Sequence, residues 1–295
     1  MPPFRRIGVT IKSDLTERDS VVEKILDILQ NCHVEVLLDA ERCLHVAQHK
    51  HVSSFTEEKD LDLLVVIGGD GTIFRTVREL KDFSIPLLTI NRGAVGFLAE
   101  TDVDEAAEVL PRLLSGEGIL DERNVLAVCA KRGKKILFEG CVLNEAVLSQ
   151  GTIARLVDLR TRVNDEELAT FRADGLILAT PTGSTAYSLA AGGPIVHPRF
   201  SSMILTPINP HSFSQKPIVV PGDSHIDVEV LTKENKFRDV EVSLTLDGQS
   251  YVRLQRHDVI HAHLNDKTVK FLRRKQDTFF STLRSKLRWG EGVDA

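Results

Sequence analysis

The stretch that most constrains the fold of this chain runs from Leu63 to Arg75 and reads Leu-Leu-Val-Val-Ile-Gly-Gly-Asp-Gly-Thr-Ile-Phe-Arg. Its first five residues are apolar and rich in β-branched side chains, which is typical of a strand buried on both faces. The glycines end that strand abruptly, and apolar residues at helical spacing follow as far as Leu80. The sequence therefore predicts a strand, a tight turn over 68–71 and a helix over 72–80.

Turns of this kind bind phosphate, because Gly68, Gly69 and Gly71 let the backbone approach a ligand and the helix N-terminus adds about half a positive charge. A carboxylate in the turn, Asp70, repels an anion unless it accepts a proton from an attacking hydroxyl or helps to hold magnesium. Alternatively, Asp70 only caps the helix, a position that favours aspartate. Arg75 on the following helix also has two interpretations, as a phosphate ligand or as a solvated helix residue.

The first part of the chain alternates strands and helices. Strands are predicted at 7–11, 34–38, 63–67 and 86–90, with helices at 20–29, 40–48, 72–80 and 102–114. This alternation predicts a doubly wound, Rossmann-like α/β domain over residues 1–118, with a parallel sheet covered on both faces. Ligands of such folds bind beyond the carboxyl ends of the strands, so the turn at 68–71 and Asn91 to Gly93 should line one cleft.

The pattern changes near Leu120, where short apolar or alternating runs separated by turn residues begin. These runs predict an antiparallel, β-sandwich-like domain over 119–275. An amphipathic helix then lies within residues 276–295 and is predicted to pack back on the first domain. A chain of 295 residues is long enough for two such cores.

Charge and apolar content exclude several classes of partner. The net charge is −5 with acids and bases interspersed, which argues against a nucleic-acid binder. No apolar run approaches the ~18 residues of a membrane span, and the first residues lack the apolar core of a signal peptide. The four cysteines lie far apart, as expected of reduced thiols in a cytoplasmic protein.

Two motifs of the second domain carry polar groups suited to a nucleotide. Asn144 and Glu145 follow an apolar run; such a pair is often only a turn former, although a carboxylate can also accept hydrogen bonds from ribose hydroxyls. The segment from Arg172 to Pro194 combines an Asp-Gly turn, a buried strand, a turn dense in hydroxyls and a short helix that begins near Tyr187. An ordinary turn and connecting helix explain its glycines but not its many side-chain donors and acceptors.

These motifs resemble those of the NAD kinase family, part of a wider group of kinases that share a Gly-Gly-Asp-Gly turn with diacylglycerol kinases and phosphofructokinases. Further matches are Asn91-Arg92-Gly93, Pro210-His211-Ser212 and Asp247-Gly248-Gln249, in family order. The resemblance implies that Asp70 is the catalytic base and that residues of both predicted domains bind the nucleotides. The implied binding residues are Gly68, Gly69, Asp70, Gly71, Arg75, Asn144, Glu145, Arg155, Arg172, Asp174, Thr185, Ala186, Tyr187, Ser188, Leu189, Ala190 and Gln249.

The resemblance also implies the reaction. The γ-phosphoryl group of ATP passes to the 2′-hydroxyl of the adenosine ribose of NAD, giving NADP and ADP, with Mg²⁺ or another divalent cation carried by ATP. The sequence assigns no protein ligand to that metal. Family members are homo-oligomers that assemble through the β domain and share sites between subunits, so a dimer or tetramer is expected.

Two alternative functions stay open. The first is a lipid or sugar kinase with the same glycine turn, against which Asn144-Glu145 and the Thr-Gly-Ser-Thr-Ala-Tyr run speak. The second is a noncatalytic NAD(H)-sensing module, against which the presence of Asp70 speaks.

Overall fold

A computed structural model of the chain describes residues 4–12, 20–43, 52–57, 61–92, 98, 101–151, 156–231, 242–275 and 279–288. The chain divides into two compact units. The first comprises residues 1–122 and 269–295, and the second comprises residues 123–268. The first unit holds a parallel sheet with helices and the second holds antiparallel sheets, so the predicted fold class is confirmed.

One sheet forms the framework of the first unit. Its strands are β1 (Arg6–Ile11), β2 (Glu35–Asp39), β3 (Ser53–Phe55), β4 (Leu63–Ile67), β5 (Leu87–Asn91), β6 (Thr101–Asp102), β7 (Ile119–Arg123) and, after the twelve strands of the second unit, β20 (Val269–Arg273). The order is β3-β2-β1-β4-β5-β20-β7, with β6 paired to β5. The pairs from β3 to β20 are parallel, which brings the carboxyl ends of neighbouring strands to one edge.

The helices of the first unit follow from apolar periodicity. They are α1 (Ser20–Asn31), α2 (Asp70–Glu79), α3 (Ala106–Arg112), which continues as a π-helical turn at Leu113–Glu117, and, last in the chain, α5 (Phe279–Leu287). Helix α1 buries Val22, Ile25, Leu26 and Leu29 at a spacing of three or four residues, and every residue of β4 is buried. The four α1 side chains and Leu63, Val65 and Ile67 of β4 belong to one hydrophobic core.

Some elements differ from the predictions. Helix α2 begins at Asp70, two residues before the predicted start. Helix α3 begins at Ala106 rather than at the predicted Asp102, because Asp102 belongs to β6 and pairs with Asn91 of β5. Most of the helix predicted over 40–48 lies outside the described residues. Strands β7 and β20 join the first sheet, although their alternating sequences do not differ from those of the runs between them.

The second unit contains two six-stranded sheets. Its strands are β8 (Leu126–Arg132), β9 (Lys135–Val142), β10 (Glu145–Gln150), β11 (Val157–Val163), β12 (Glu166–Ala173), β13 (Gly175–Ala179), β14 (Ser202–Ile208), β15 (Ile218–Pro221), β16 (Ile226–Val230), β17 (Val242–Leu246), β18 (Ser250–Leu254) and β19 (Val259–Leu264). One sheet, here called the β13 sheet, has the order β15-β14-β13-β10-β17-β18, and the other has the order β12-β11-β16-β19-β8-β9. Residues of both sheets share one core.

Strand β14 was not among the predicted strands. All seven of its residues are buried, so it has no polar alternation to distinguish it from a connecting segment. A short helix, α4 (Tyr187–Ala190), lies between β13 and β14. None of the helices that the structure describes combines the length and apolar composition needed to cross a bilayer.

Candidate nucleotide site

The phosphate turn of the first unit is anchored to the neighbouring strand. The amide of Gly68 donates to the carbonyl of Ile90, and the carbonyl of Gly69 accepts from the amide of Thr72. A Cβ atom at Gly68 would lie 2.3 Å from the Thr72 hydroxyl oxygen, whereas a Cβ atom at Gly69 would meet nothing within 4 Å. Gly69 and Gly71 are exposed, so the backbone of the turn is accessible to a ligand.

Asp70 is the first residue of α2 and is half-buried. The N-cap of that helix is Gly69, and no side chain makes a cap hydrogen bond there. The interpretation of Asp70 as the N-cap is therefore wrong by one position. An acid in the first turn of a helix is still stabilised by the helix dipole, but a capping hydrogen bond does not account for Asp70.

Arg75 is not a solvated helix residue. Its guanidinium Nη2 donates to the carbonyl oxygen of Ile11 over 2.6 Å, at the carboxyl end of β1. Next to Arg75, the Arg42 guanidinium donates to the carboxylates of Asp39 and Glu79. Burial, and secondarily the positive charge of Arg42, lower the pKa of Arg75. Arg75 thus ties α2 to the edge of the sheet that carries the phosphate turn.

The two glycines of the turn should respond differently to alanine. Gly68→Ala forces a Cβ atom against Thr72, so we expect a loss of about 1–3 kcal/mol in the free energy of unfolding. Gly69→Ala has room and should cost less than about 1 kcal/mol, while weakening ATP binding by obstructing the turn. Chemical denaturation and ATP titration of both variants check this; equal losses of stability would contradict the geometry.

In the second unit, Asn144 and Glu145 lie at the start of β10 and are held by Asp247 at the end of β17. The Asp247 carboxylate accepts hydrogen bonds from the amides of Leu143 (2.9 Å), Asn144 (2.8 Å) and Glu145 (3.1 Å). The carbonyl of Asn144 in turn accepts from the amide of Thr180. The pair therefore belongs to a fixed corner where β10, β13 and β17 end together.

Glu145 is the most perturbed acid of this corner. Glu145 is only 8% exposed, and its Oε2 atom is buried without a hydrogen-bond partner among the described residues. Burial, and secondarily the charge of Asp247, raise the pKa of Glu145 to about 8. Perturbed, incompletely paired acids of this kind occur most often at functional sites.

The hydroxyl-rich turn after β13 packs on the same corner. A Cβ atom at Gly183 would lie 2.2 Å from the carbonyl oxygen of Asn144, so only glycine fits. Thr185 and Ala186 are half-buried and Tyr187 is 45% exposed, which leaves them accessible. Ser188 is different, because its hydroxyl is buried and bonds to Thr206. Leu189 is half-buried and Ala190 is exposed on α4.

Asp174 lies at the opposite end of the β13 sheet, and Arg172 lies two residues before it on β12, in the other sheet. Asp174 precedes β13 and accepts hydrogen bonds from the side-chain amides of Gln150 and Asn209. Arg172 is exposed, and its carbonyl accepts from the amide of His211. The five residues of β13 separate this end from the Asn144 corner by about 17 Å.

The structure thus divides the predicted residues of the second unit into two groups. One end of the β13 sheet carries Asn144, Glu145, the 185–190 segment and the exposed Gln249. The other end carries Asp174, with Arg172 close to it in the chain on β12 of the other sheet. Arg155 lies outside the described residues. Asp247 was missed as a site residue, since nothing in a local Asp-Gly turn signals amide contacts more than 100 positions away.

Taken together, a glycine turn at the carboxyl edge of a parallel sheet and a hydroxyl-rich turn beside a buried acid are typical of one class, the phosphotransferases that use a nucleotide. The described residues contain no group of three or more His, Cys, Asp or Glu side chains placed to hold a metal ion.

Comparisons with known proteins specify the family. Residues 7–118 match the ATP-NAD kinase N-terminal domain and residues 143–274 match the ATP-NAD kinase C-terminal domain. The chain is 37% identical to the NAD kinase of Geobacter metallireducens and 41% identical to that of Geobacter sp. strain M21, over 98% of this chain and all of each relative.

Solved structures agree with this assignment. Yeast NADH kinase complexed with NADH superposes with a TM-score of 0.84 at 26% identity, covering 98% of this chain and 89% of that one. An NAD kinase from Archaeoglobus fulgidus in complex with ATP gives 0.71 at 27% identity, covering 95% and 99%. The chain belongs to the NAD kinase family, and its activity is that of an NAD kinase.

Proposed function

We propose that this NAD kinase uses Asp70 as the general base that takes the proton from the 2′-hydroxyl of the adenosine ribose of NAD. The observation that carries the proposal is the position of Asp70 in the first turn of α2, inside a glycine turn whose cap is Gly69. A base placed beside bound phosphates reaches the hydroxyl that attacks them. The exposed turn cradles the ATP phosphates, and Arg75 lies five residues further along α2, where it donates to the carbonyl of Ile11.

The donor chemistry of the turn suits Mg²⁺ that arrives with ATP. Magnesium in kinases is held by substrate phosphates, waters and one or two carboxylates rather than by a cage of protein ligands, and Asp70 is a carboxylate in the turn. When bound, the cation would neutralise charge on the phosphates. The chain's own contribution is to orient the triphosphate through backbone amides and to place the base.

The Asn144 corner is proposed as the NAD site. It offers a buried acid, an exposed tyrosine and a rigid turn held by Asp247, which supports the binding of an aromatic and hydroxyl-rich dinucleotide. A lipid chain offers no hydrogen-bonding group to the buried Glu145, and a simple sugar offers no aromatic ring to the exposed Tyr187. We also assign the protein to the cytoplasm, in keeping with four free cysteines.

The experiment that tests the reaction compares NAD with its 2′-deoxy analogue in the presence of Mg-ATP. NAD should yield NADP, and the analogue should bind without being phosphorylated, because one base serves only the hydroxyl within its ~3 Å reach. A 3′-phosphorylated product from the analogue would overturn the assignment of Asp70 to the 2′-hydroxyl. Absence of any product from NAD would overturn the whole proposal.

The protein is further proposed to be a homo-oligomer with shared sites, as a dimer or tetramer. Support comes from the separation of Asp174 from the Asn144 corner, which a second subunit can bridge. Edge strand β15 also exposes Ile218 and Val219, and Phe213 beside it is 89% exposed. Exposed apolar edges of this kind mark interaction surfaces.

Shared sites predict complementation between two damaged variants. Asp70→Asn and Asp174→Asn should each lose activity, but their co-expressed mixture should recover up to about one quarter of wild-type turnover, since a mixed dimer keeps one intact site. Turnover of purified mixtures and sedimentation at micromolar concentration check this. A fully active monomer, or a mixture no better than its components, would contradict shared sites.

A further inference from the structure

The Asn144 corner contains two carboxylates with very different surroundings. Asp247 is 6% exposed, and its two oxygens accept three backbone amide hydrogen bonds. Several N–H donors aimed at one carboxylate stabilise its charged form. The negative charge of the corner is therefore localised on Asp247.

The backbone of the hairpin between β17 and β18 holds Asp247 in this position. Asp247 has a φ of +46° and is followed by Gly248 at +66°, so both central residues of the turn are left-handed. Aspartate tolerates that region better than most residues, and glycine adopts it without strain. The amide of Asp247 also donates to the carbonyl of Glu145, which closes the contact from both sides.

Glu145 has the opposite environment. Its neighbours across the sheet are Ala179 on β13 and the end of β17, and Asp247 is the charged group that acts on it within the described ranges. Its Oε2 atom has no hydrogen-bond partner there. A buried acid beside a fixed negative charge is more stable neutral than ionised. With a pKa raised to about 8, Glu145 holds a proton at pH 7.

We propose that Asp247 is a positioning residue and that Glu145 meets the nucleotide as a neutral carboxylic acid. This inference rests on the proposed NAD site and deepens it by naming the chemistry that the site recognises. A neutral acid donates through its hydroxyl and accepts through its carbonyl, so its complement is a group that presents an acceptor and a donor side by side. NAD has three kinds of such group: the nicotinamide carboxamide, the amino edge of adenine and the adjacent hydroxyls of a ribose.

The test is the pH dependence of NAD affinity, measured by titration without ATP between pH 6.5 and 9.5. Because NAD selects the protonated form, raising the pH through the pKa of Glu145 removes that form, and the Kd of the wild type should rise about tenfold per pH unit above it. Glu145→Gln keeps a donor and an acceptor but cannot ionise, so its affinity should not change with pH. Glu145→Ala should bind at least tenfold more weakly than Glu145→Gln at pH 7.

Asp247→Asn provides a second readout. It preserves the size of the side chain and removes the charge, so Glu145 ionises more readily and the pH at which NAD affinity falls should move down. A purely structural role for Asp247 would weaken binding without moving that pH. The matched control is Asp223→Asn, an exposed aspartate in another turn of the same unit, which should leave the profile in place.

Two analogues separate the possible partners on NAD. The acetylpyridine analogue lacks the carboxamide N–H, and the analogue with unsubstituted purine in place of adenine lacks the amino group. The analogue whose affinity no longer depends on pH identifies the group that Glu145 contacts, and persistence of the dependence with both assigns the contact to ribose hydroxyls. The proposal of a neutral Glu145 would be overturned if the NAD affinity of the wild type did not change with pH and Glu145→Gln bound NAD as weakly as Glu145→Ala. Assays of NADP formation by the wild type keep this outcome distinct from failure of the proposed function.

Discussion

Asp70→Asn should keep the fold and the NAD affinity while losing most of the turnover. Positioned general-base catalysis typically contributes roughly 10²–10⁴-fold in rate, which corresponds to about 2.7–5.4 kcal/mol of barrier. The helix cap is Gly69, so the substitution removes no cap hydrogen bond. Loss of a negative charge from the first turn of α2 should cost no more than about 1 kcal/mol of stability. The measurement is kcat with a separate determination of NAD affinity.

Magnesium is the confounding factor for this variant. If Asp70 also helps to place the cation, turnover falls for that reason too, and added Mg²⁺ should partly restore it. The titration of kcat against Mg²⁺ therefore separates the two roles. Asp104→Asn is the matched control, because that carboxylate is 95% exposed on the same unit. A variant within threefold of wild type at every Mg²⁺ concentration would show that Asp70 is not the base.

Gly183→Ala should damage the NAD site as severely, through the backbone alone. The added Cβ atom would lie 2.2 Å from the carbonyl oxygen and 2.6 Å from the carbonyl carbon of Asn144, and neither atom belongs to a side chain that can rotate away. The Asn144 corner must shift, with strain of about 1–3 kcal/mol. We expect NAD affinity to fall by about tenfold to a hundredfold, that is about 1.4–2.8 kcal/mol.

Gly140→Ala tests whether this effect is specific. Its Cβ atom would also approach a neighbour closely, at 2.7 Å, but that neighbour is the ring of Phe138, which can move. It should therefore leave NAD affinity unchanged and affect stability less. Thermal unfolding confirms that both variants are folded before affinity is compared. Normal NAD affinity in a folded Gly183→Ala protein would remove Asn144 from the proposed site.

Local sequence patterns predicted those helices and strands whose conformation is set by interactions between residues close in the chain. The strand at Leu63–Ile67 was predicted with its observed bounds, because five apolar residues between polar neighbours have one low-energy arrangement in a parallel sheet. The helix after it was also predicted, but its start was not, since the cap depends on backbone angles that Asp70 and Gly69 can each adopt. The resemblance of the motifs to NAD kinases named the family correctly.

Sequence patterns did not predict which strands pair when they are far apart in the chain. Strand β20 has the same alternating character as its predecessors, yet it pairs with β5 in the first unit rather than with the second unit's sheets. Strand β14 was missed because complete burial removes the polar alternation that would reveal it. The pairing of β20 and the burial of β14 both depend on contacts between segments far apart in the chain, and a short stretch of sequence does not indicate those contacts.

The sequence by itself determined the α/β and β composition, the phosphate turn and the family, because these follow from periodicity, glycine chemistry and ordered motifs within short segments. The tertiary structure alone decided how the site residues are grouped. Asp247 and Glu145 lie 102 positions apart and share one corner, whereas Asp174 and Asn144 are only thirty positions apart and occupy opposite ends of one sheet. The physical reason is that antiparallel pairing brings distant chain ends together and separates the two ends of every strand by its length.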